Sequence, residues 1–180
     1  MKKSLILLLS LFFLSACSSL PESLKSDNPD IVTRYSEWQA NPEQLNQLRL
    51  GGVIAKVTNL ETKTRIEVVN LPINASGKPD ISQEPNGRFV GYINGFVDPV
   101  TLQDGRLITV LGQSNGTEDS KVGEYSYTFP VMDISHFHLW RVEERVVMYD
   151  WDSYYYPCYS IHCRDIRSMS REGRVIQEVK

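Results

Sequence analysis

The stretch from Arg49 to Thr58 reads Arg-Leu-Gly-Gly-Val-Ile-Ala-Lys-Val-Thr and alternates with a period of two. Val53 and Val57 would lie on one face of a strand, because successive side chains of a strand point to opposite faces. The pair Gly51-Gly52 is typical of a bulge or a sharp bend in such a strand. The stretch therefore predicts a coiled first strand rather than a helix.

The same alternation recurs downstream, between segments that are rich in turn-forming residues. The predicted strands are Arg49–Asn59, Thr64–Leu71, Arg88–Asn94, Arg106–Gly112 and Asp133–Val142. Glu124–Val131 also alternates, Pro72–Gly87 predicts a long loop, and Asn115-Gly116 predicts a tight turn. Short alternating strands with almost no helix indicate an all-β fold. They favour a small closed or partly open Greek-key barrel of about five to six strands, similar to an OB fold.

One short N-terminal helix is predicted at Asn41-Pro42-Glu43. Asn is a good helix cap, Pro fits the first helical position, and Glu suits the positive end of the helix. The inward faces of the strands are expected to fill the barrel and to leave no pore. The expected inward side chains are Val53, Val57, Ile66, Val68, Phe89, Ile93, Leu107 and Leu111.

The N-terminus carries a different signal. Lys2 and Lys3 precede the apolar run 5–13, which is the layout of a cleaved secretory signal and is too short to cross a bilayer. Leu14-Ser15-Ala16-Cys17 is similar to a bacterial lipobox, in which the cysteine thiol is acylated and the chain is cut just before it. In lipoproteins as a class, an Asp at the next position retains the protein in the inner membrane. Ser18 therefore predicts export to the outer membrane, with the domain on the periplasmic face.

Charge limits the partners of the mature chain. The sequence has 19 Lys and Arg against 22 Asp and Glu; removal of residues 1–16 takes away Lys2 and Lys3 and leaves 17 against 22, a formal charge of −5. Such a protein has no electrostatic footprint for nucleic acid and gains nothing from an anionic lipid surface. Membrane attachment must then come from the acyl chains on Cys17, and two or more chains are needed for stable anchoring.

The chain divides into four parts. Residues 1–16 are the cleaved signal peptide, and residues 17–38 are the lipidated N-terminus with a flexible tether rich in Ser, Pro and Asp. Residues 39–145 form the barrel domain. Residues 146–180 are an aromatic-rich segment followed by a polar C-terminal tail or loosely docked element.

Several segments, in their order along the chain, resemble the Slp family of starvation-inducible outer-membrane lipoproteins. The segments are Leu50–Ile54, Thr64–Val69, Leu71-Pro72, Gly87–Phe89, Gly95–Pro99, Gly105–Val110, Gly116-Thr117, Val122–Tyr125 and Tyr127–Val131. The resemblance covers the lipobox and roughly residues 40–142, and it fades after Trp140. It implies a stress-associated lipoprotein of the outer membrane and brings no catalytic residues.

Two cysteines remain once Cys17 is assigned to lipid. Cys158 and Cys163 form an even pair in a compartment that permits disulfides, which predicts a disulfide. Two free thiols, or a metal pair that includes His162, are the alternatives. The loop between the cysteines is short, so a bridge would add little stability.

Aromatic and histidine side chains are the remaining candidates for binding or chemistry. Trp151, Tyr154, Tyr155 and Tyr156 form an aromatic stretch that either covers the barrel or makes a contact patch for lipid headgroups, sugar or a partner. His136 and His138 share a strand face, but a metal site needs three or four ligands, so two polar residues on a solvated face are the simpler interpretation. No phosphate-binding, dinucleotide-binding or nucleophile-elbow motif occurs, so neither a cofactor nor a catalytic residue is expected.

The sequence leaves two hypotheses for function. The first is a non-enzymatic outer-membrane lipoprotein with a structural or stress-related role in the cell envelope. The second is a periplasm-facing module that binds an oligosaccharide or a small metabolite through the barrel mouth and the aromatic loop. In the first, release from the membrane abolishes function, whereas in the second the released domain still binds its ligand.

Overall fold

The computed structural model describes residues 19–148 and 173–180. A 3₁₀ turn at Glu22–Leu24 and the helix α1 at Tyr35–Ala40 precede the strands. The strands are β1 Gln47–Asn59, β2 Lys63–Leu71, β3 Arg88–Asn94, β4 Leu107–Val122, β5 Tyr125–Trp140, β6 Val142–Met148 and β7 Gly173–Val179. The described chain is mostly sheet, which confirms the predicted fold class.

Five strands close into a barrel in the order β1-β2-β3-β5-β4, and β4 returns to β1. All neighbours are antiparallel except β3 and β5, which pair in parallel from Val90 with Val131 to Ile93 with Ile134. This order is that of a five-stranded Greek-key barrel of the OB type. Closure removes the free sheet edges that a small open sheet would expose.

The barrel interior is filled by apolar side chains from every strand. Its buried residues on the strands are Leu48, Leu50, Ile54, Ile66, Val68, Phe89, Ile93, Ile108, Val110, Met132 and Ile134. The predicted inward positions Val53, Leu107 and Leu111 are wrong, because these side chains belong to a second cluster on the outside of the barrel. Val57 does pack on the interior, as predicted. The bulge between Ile54 and Lys56 adds one residue to β1, so Val57 points inward although Val53, four residues earlier, points outward.

Both mouths of the barrel are closed by side chains from outside the strands. At one mouth, called the helix end, α1 inserts the fully buried Trp38, whose Nε1 donates to Ser114 Oγ at 2.7 Å. Trp38 also makes an edge-to-face contact with Phe89, with ring centroids 5.9 Å apart. At the other mouth, called the ribbon end, the β3–β4 loop contributes the fully buried Leu102. Both mouths are thus filled by apolar side chains, and ligand binding there together with the aromatic loop, which lies outside the described residues, stays a prediction.

Two local predictions are wrong. The helix occupies residues 35–40 and Asn41 follows its last residue, so the Asn-Pro-Glu signal marks the end of the helix and not its beginning. Asn115-Gly116 is no hairpin turn, because β4 continues through it with an irregular register between Ser114 and Thr117. The hairpin turns further on, between Val122 and Tyr125, where Gly123 takes a positive φ of 61°.

The N-terminal segment 20–38, called the strap, differs from the flexible tether that composition suggested. Leu24 is fully buried, and Val32 forms a parallel bridge with Leu48 at the start of β1. Arg49 Nε donates to the carbonyl oxygen of Leu24 at 2.8 Å. The strap therefore lies along the outside of the barrel from the helix end toward the middle of the sheet.

Strands β6 and β7 form a separate antiparallel pair, called the ribbon, which leaves the barrel directly after β5. Its pairing runs from Val142 with Val179 to Met148 with Gly173. Composition had suggested a polar tail or a loosely docked element for the C-terminal residues, and residues 173–179 form a strand paired with β6. At its base, Val179 packs against the outer apolar cluster of the barrel.

Candidate functional site

The N-terminus of the described chain is held beside the base of the ribbon. Leu20 and Val179 pack against the same apolar cluster, which also contains Trp140. Gly77 lies in the loop between β2 and β3 and has a φ of 78°. A Cβ at this position would lie only 2.8 Å from Leu20 Cδ1, so glycine allows the strap to approach the β2–β3 loop closely. Lys78 Nζ donates to the Val179 carbonyl oxygen at 3.1 Å, which ties this loop to the ribbon.

A second apolar cluster buries the strap against the outer face of β1, β4 and β5. Its buried members are Leu24, Leu71, Leu107, Leu111 and Trp140. Two hydrogen bonds fix the loop above it: Trp140 Nε1 donates to Thr109 Oγ1 at 2.9 Å, and Thr109 Oγ1 donates to the Gly77 carbonyl oxygen at 2.6 Å. The residues nearest to the predicted lipidation site therefore belong to a packed and hydrogen-bonded part of the structure.

The extended β4–β5 hairpin, residues 115–130, is called the arm, and it covers the outer face of β2 and β3. Phe129 and Val131 bury Val90 in a third apolar cluster, with Tyr127 packed at its margin. Tyr127 and Phe129 contact edge to face, with centroids 4.6 Å apart. The arm is thus docked on the barrel by aromatic packing.

A network of charged side chains joins the arm to the same face. Arg65 on β2 donates from Nη2 to Glu118 Oε1 and from Nη1 to Glu67 Oε1, each at 2.6 Å. Tyr92 on β3 donates its hydroxyl to Glu118 Oε2 at 2.6 Å. Burial by itself lowers the pKa of the Arg65 guanidinium, but its hydrogen bonds to both carboxylates outweigh burial and raise it. The groups satisfy one another, which is the pattern of a docking contact.

Two clefts flank the arm. One, of about 520 Å³, is mainly apolar and aromatic and lies between the tip of the arm and the ends of β2 and β3. It is lined by Val69, Pro85, Gly87, Arg88, Val122, Tyr125 and Tyr127. The other, of about 960 Å³, is more polar and is lined by Lys56, Asp119, Ser120, Lys121, Gly123, Ser126, Tyr127 and Thr128.

In the smaller cleft, a hydrogen bond from Tyr35 holds the backbone of the wall at Arg88, and Arg88 is also the one cationic residue of the described lining. Tyr35 donates its hydroxyl to the Arg88 carbonyl oxygen at 2.7 Å, and burial, followed by the neighbouring Tyr127, raises the pKa of the Tyr35 phenol. Within residues 19–148 and 173–180, no carboxylate forms an ion pair with the Arg88 guanidinium. An apolar wall with one unpaired cation suits an amphipathic or sugar-like ligand.

Most of the side chains that the sequence singled out lie outside the described residues. These are Cys17, Ser18, Trp151, Tyr154, Tyr155, Tyr156, Cys158 and Cys163. His136 is exposed on β5, while His138 stacks edge to face on Trp140 with centroids 4.4 Å apart. Burial lowers the pKa of His138.

No helix in the described part of the chain is long and apolar enough to cross a bilayer. Among the side chains that the structure places, no three His, Cys, Asp or Glu residues gather where they could hold a metal ion.

The arm network was missed by sequence reasoning. Arg65 and Glu118 are 53 positions apart, and each lies in a stretch whose alternation merely indicates a strand. The available signal was the row of Tyr125, Tyr127 and Phe129, an unusually aromatic strand face, of which the structure buries Phe129 and part of Tyr127 and leaves Tyr125 exposed.

Comparison with known proteins defines the class. A family model described as the outer membrane lipoprotein Slp family matches residues 14–166, which includes the predicted lipobox at residues 14–17 and the whole barrel. With the β-rich fold, this match makes the protein an outer-membrane lipoprotein. The chain belongs to the Slp family, and its location is the outer membrane. The match also extends beyond the resemblance read from the sequence, because it includes the aromatic stretch and both Cys158 and Cys163.

Individual relatives agree with this assignment. The outer membrane protein Slp of Escherichia coli K12 is 34% identical over 148 residues, which are 81% of this chain and 78% of the relative. The lipoprotein YeaY of the same organism is 33% identical over 139 residues, 75% of this chain and 70% of the relative. A protein of Haemophilus influenzae Rd is 37% identical over 136 residues, 73% and 72% of the two chains. No solved structure matches this chain.

Proposed function

We propose that this chain is a non-enzymatic lipoprotein that is acylated at Cys17 and holds its barrel against the periplasmic leaflet of the outer membrane. Its role would be structural or protective in the envelope, as the family resemblance suggests. The observation that supports this most directly is the packing of the strap. Leu20, three residues after Cys17, packs against the outer cluster of the barrel, so about 10 Å of extended chain at most separates the acylated residue from the barrel.

The short distance between Cys17 and the packed Leu20 has a mechanical consequence. A long flexible linker would let the domain sample the periplasm and reach distant partners. Here the lipid and the barrel are joined almost directly, and the strap is fixed by Leu24 in the outer cluster. The barrel is therefore expected to act at the membrane surface itself.

The chemistry of the described groups supports a non-catalytic role. Arg65, Glu67, Glu118 and Tyr92 are the clearest cluster of titratable side chains, and their hydrogen bonds are made with each other. A catalytic group needs a free site within hydrogen-bond reach for the atom that reacts. The donors and acceptors of this cluster form the hydrogen bonds that dock the arm on the barrel.

The test is the fate of Cys17 in the envelope. Intact-mass analysis of the membrane-extracted protein should show a chain that begins at Cys17 and carries acyl groups. Cys17→Ala should abolish both processing and membrane attachment. Cys163→Ala serves as a matched cysteine control and should leave both unchanged. An unmodified Cys17 in the extracted protein would refute the proposal.

The role of Ser18 is tested separately by density-gradient fractionation. The native chain should sediment with outer-membrane markers, and Ser18→Asp should shift the acylated protein to the inner membrane. Retention of that variant in the outer membrane would show that residue 18 does not direct sorting in this protein.

A second candidate function is ligand binding at the smaller cleft. The observation that favours it is the combination of exposed Tyr125, half-buried Tyr127 and the unpaired guanidinium of Arg88 around about 520 Å³. Aromatic faces and one cation suit an oligosaccharide or an anionic metabolite. This site differs from the barrel mouth that the sequence suggested, because Trp38 closes the mouth. Ligand binding that Cys17→Ala preserves and Tyr125→Ala abolishes would favour this function over the first.

A further inference from the structure

Exposed large apolar side chains are concentrated at one end of this molecule. Among residues 19–148 and 173–180, nine such side chains are strongly exposed. Seven of them lie at the ribbon end or on the ribbon: Leu60, Phe96, Val100, Val142, Val146, Val175 and Ile176. The other two, Leu45 and Tyr125, lie at the helix end and on the tip of the arm. Single exposed apolar residues are ordinary, but a concentration of this kind marks an interaction surface.

The barrel topology brings the loops of this end together. The β1–β2 turn carries Leu60, and the β3–β4 loop carries Phe96 and Val100, which are 75% and 78% exposed. Buried Thr64 donates from Oγ1 to the Gly95 carbonyl oxygen at 3.0 Å and accepts from the Val97 backbone N–H at 2.9 Å. The Gly95 N–H also donates to the Thr62 carbonyl oxygen at 2.8 Å, so the backbones of the two loops that present these apolar side chains are tied to each other.

The ribbon leaves the barrel at this same end, and one of its faces is apolar. Directly opposed residues of an antiparallel pair share a face, so Val142 lies beside Val179 and Val146 beside Val175. Between these pairs, Gln177 donates to Glu144 Oε1 at 2.8 Å. The opposite face carries Glu143, Arg145, Arg174, Glu178 and Lys180, together with Val147 and the exposed Ile176, so the apolar face is the one that presents Val142, Val146 and Val175.

The position of the N-terminus identifies what covers this surface. Leu20 packs in the same cluster as Val179 at the base of the ribbon, and Cys17 is only three residues earlier. If Cys17 is acylated, a lipid leaflet must lie within about 10 Å of this point. We propose that the ribbon end rests on that leaflet, with the Phe96 loop and the valine face of the ribbon inserted among the lipid headgroups. This inference rests on the proposed anchoring at Cys17.

The shape and charge of the surface favour lipid over a protein partner. The apolar side chains are spread over two loops and a ribbon rather than gathered in a groove. Exposed Phe and aliphatic side chains suit the interface between headgroups and acyl chains. The mature chain carries a formal charge of −5, so attraction to anionic lipid adds nothing and the contact is apolar. Added salt should therefore leave this contact unchanged.

The experiment is photocrosslinking from defined positions in the full-length acylated chain, expressed in cells and isolated in its own membranes. A benzophenone amino acid is placed at Phe96, and in a second chain at Val146. A third chain carries it at Tyr125 as the matched control, since Tyr125 is aromatic and 73% exposed but lies on the arm. Illumination should give phospholipid adducts at Phe96 and Val146, detected by intact mass, and none above background at Tyr125.

Each outcome decides a separate point. Lipid adducts of equal yield at all three positions would overturn the proposal, because orientation would then be random. Protein adducts in place of lipid adducts at Phe96 would also overturn it and would show that a protein covers this end. Intact mass of the same samples reports acylation at Cys17. An acylated chain without lipid adducts refutes the inference alone, whereas an unacylated chain refutes the proposed function.

Discussion

The two outer faces of this barrel are covered in chemically different ways. The face of β1, β4 and β5 is buried under the strap by aliphatic side chains and Trp140. The face of β2 and β3 is buried under the arm by aromatic packing together with the network of Arg65, Glu67, Glu118 and Tyr92. The first cover is continuous with the predicted lipid anchor. The second belongs to a single hairpin and leaves open clefts on both sides.

This difference suggests that the strap face and the arm face have different roles. Apolar burial is not directional and tolerates no water, so the strap face suits a permanent attachment of the barrel to its anchor. Charged networks depend on geometry and lose much of their stabilising effect when one partner is removed. The arm face is therefore the more adjustable of the two, and it is the one that carries the candidate ligand cleft.

The largest expected effect comes from breaking the strap face. Leu24→Ala removes a fully buried side chain and leaves a cavity in the outer cluster. It should reduce the free energy of unfolding by about 2–5 kcal/mol, measured by urea denaturation. Leu45→Ala is the matched control, because Leu45 is 86% exposed, and it should change stability by less than about 0.5 kcal/mol. Equal losses in the two variants would mean that the strap does not stabilise the barrel.

A smaller effect is expected from breaking the arm face. Glu118→Ala leaves the mostly buried guanidinium of Arg65 with Glu67 alone and takes the acceptor of the Tyr92 hydroxyl. The free energy of unfolding should fall by about 1–3 kcal/mol, and Glu118→Gln, which keeps an acceptor, should lose less.

The control for the arm variant is the exposed ion pair of Glu22 with Lys25 on the strap. Glu22→Ala should cause no measurable loss, because an exposed pair is well solvated. Hydrogen exchange should also speed up in the arm of the Glu118→Ala chain while the strap stays protected. A uniform increase over both faces would contradict the independence of the two covers.

The smallest expected effect is a pH dependence on the strap side. Burial lowers the pKa of His138, which stacks on Trp140, so the folded protein favours the neutral imidazole. This contribution is complete above the ordinary histidine pKa of about 6.5 and is lost as the pH falls below it, because the unfolded chain then binds a proton that the folded chain does not. Thermal unfolding between about pH 7.5 and 5.5 should show a shallower decline for His138→Gln than for the native chain. The same decline of thermal stability with falling pH in both proteins would contradict a lowered pKa of His138 in the folded protein.

Much of the fold was determined by the sequence alone. The period-two pattern placed β2 and β3 almost to the residue, since each of these strands pairs on both sides and its inner face is plainly apolar. The predicted lipobox and the order of the segments that resemble the family indicated the family that the comparisons then showed. These features are local, and local patterns are what a sequence displays directly.

The inward face of β1 and β4 was decided only by tertiary structure. Both faces of these strands are apolar, because the interior lies on one side and the strap on the other, so alternation cannot show which is which. The bulge at Ala55 then exchanges the faces within β1. In the same way, Asn115-Gly116 has the composition of a turn, but the pairing of β4 with β5 continues past it. The arm network joins residues 53 positions apart, and such contacts exist only once the chain has closed the barrel and brought the hairpin over it.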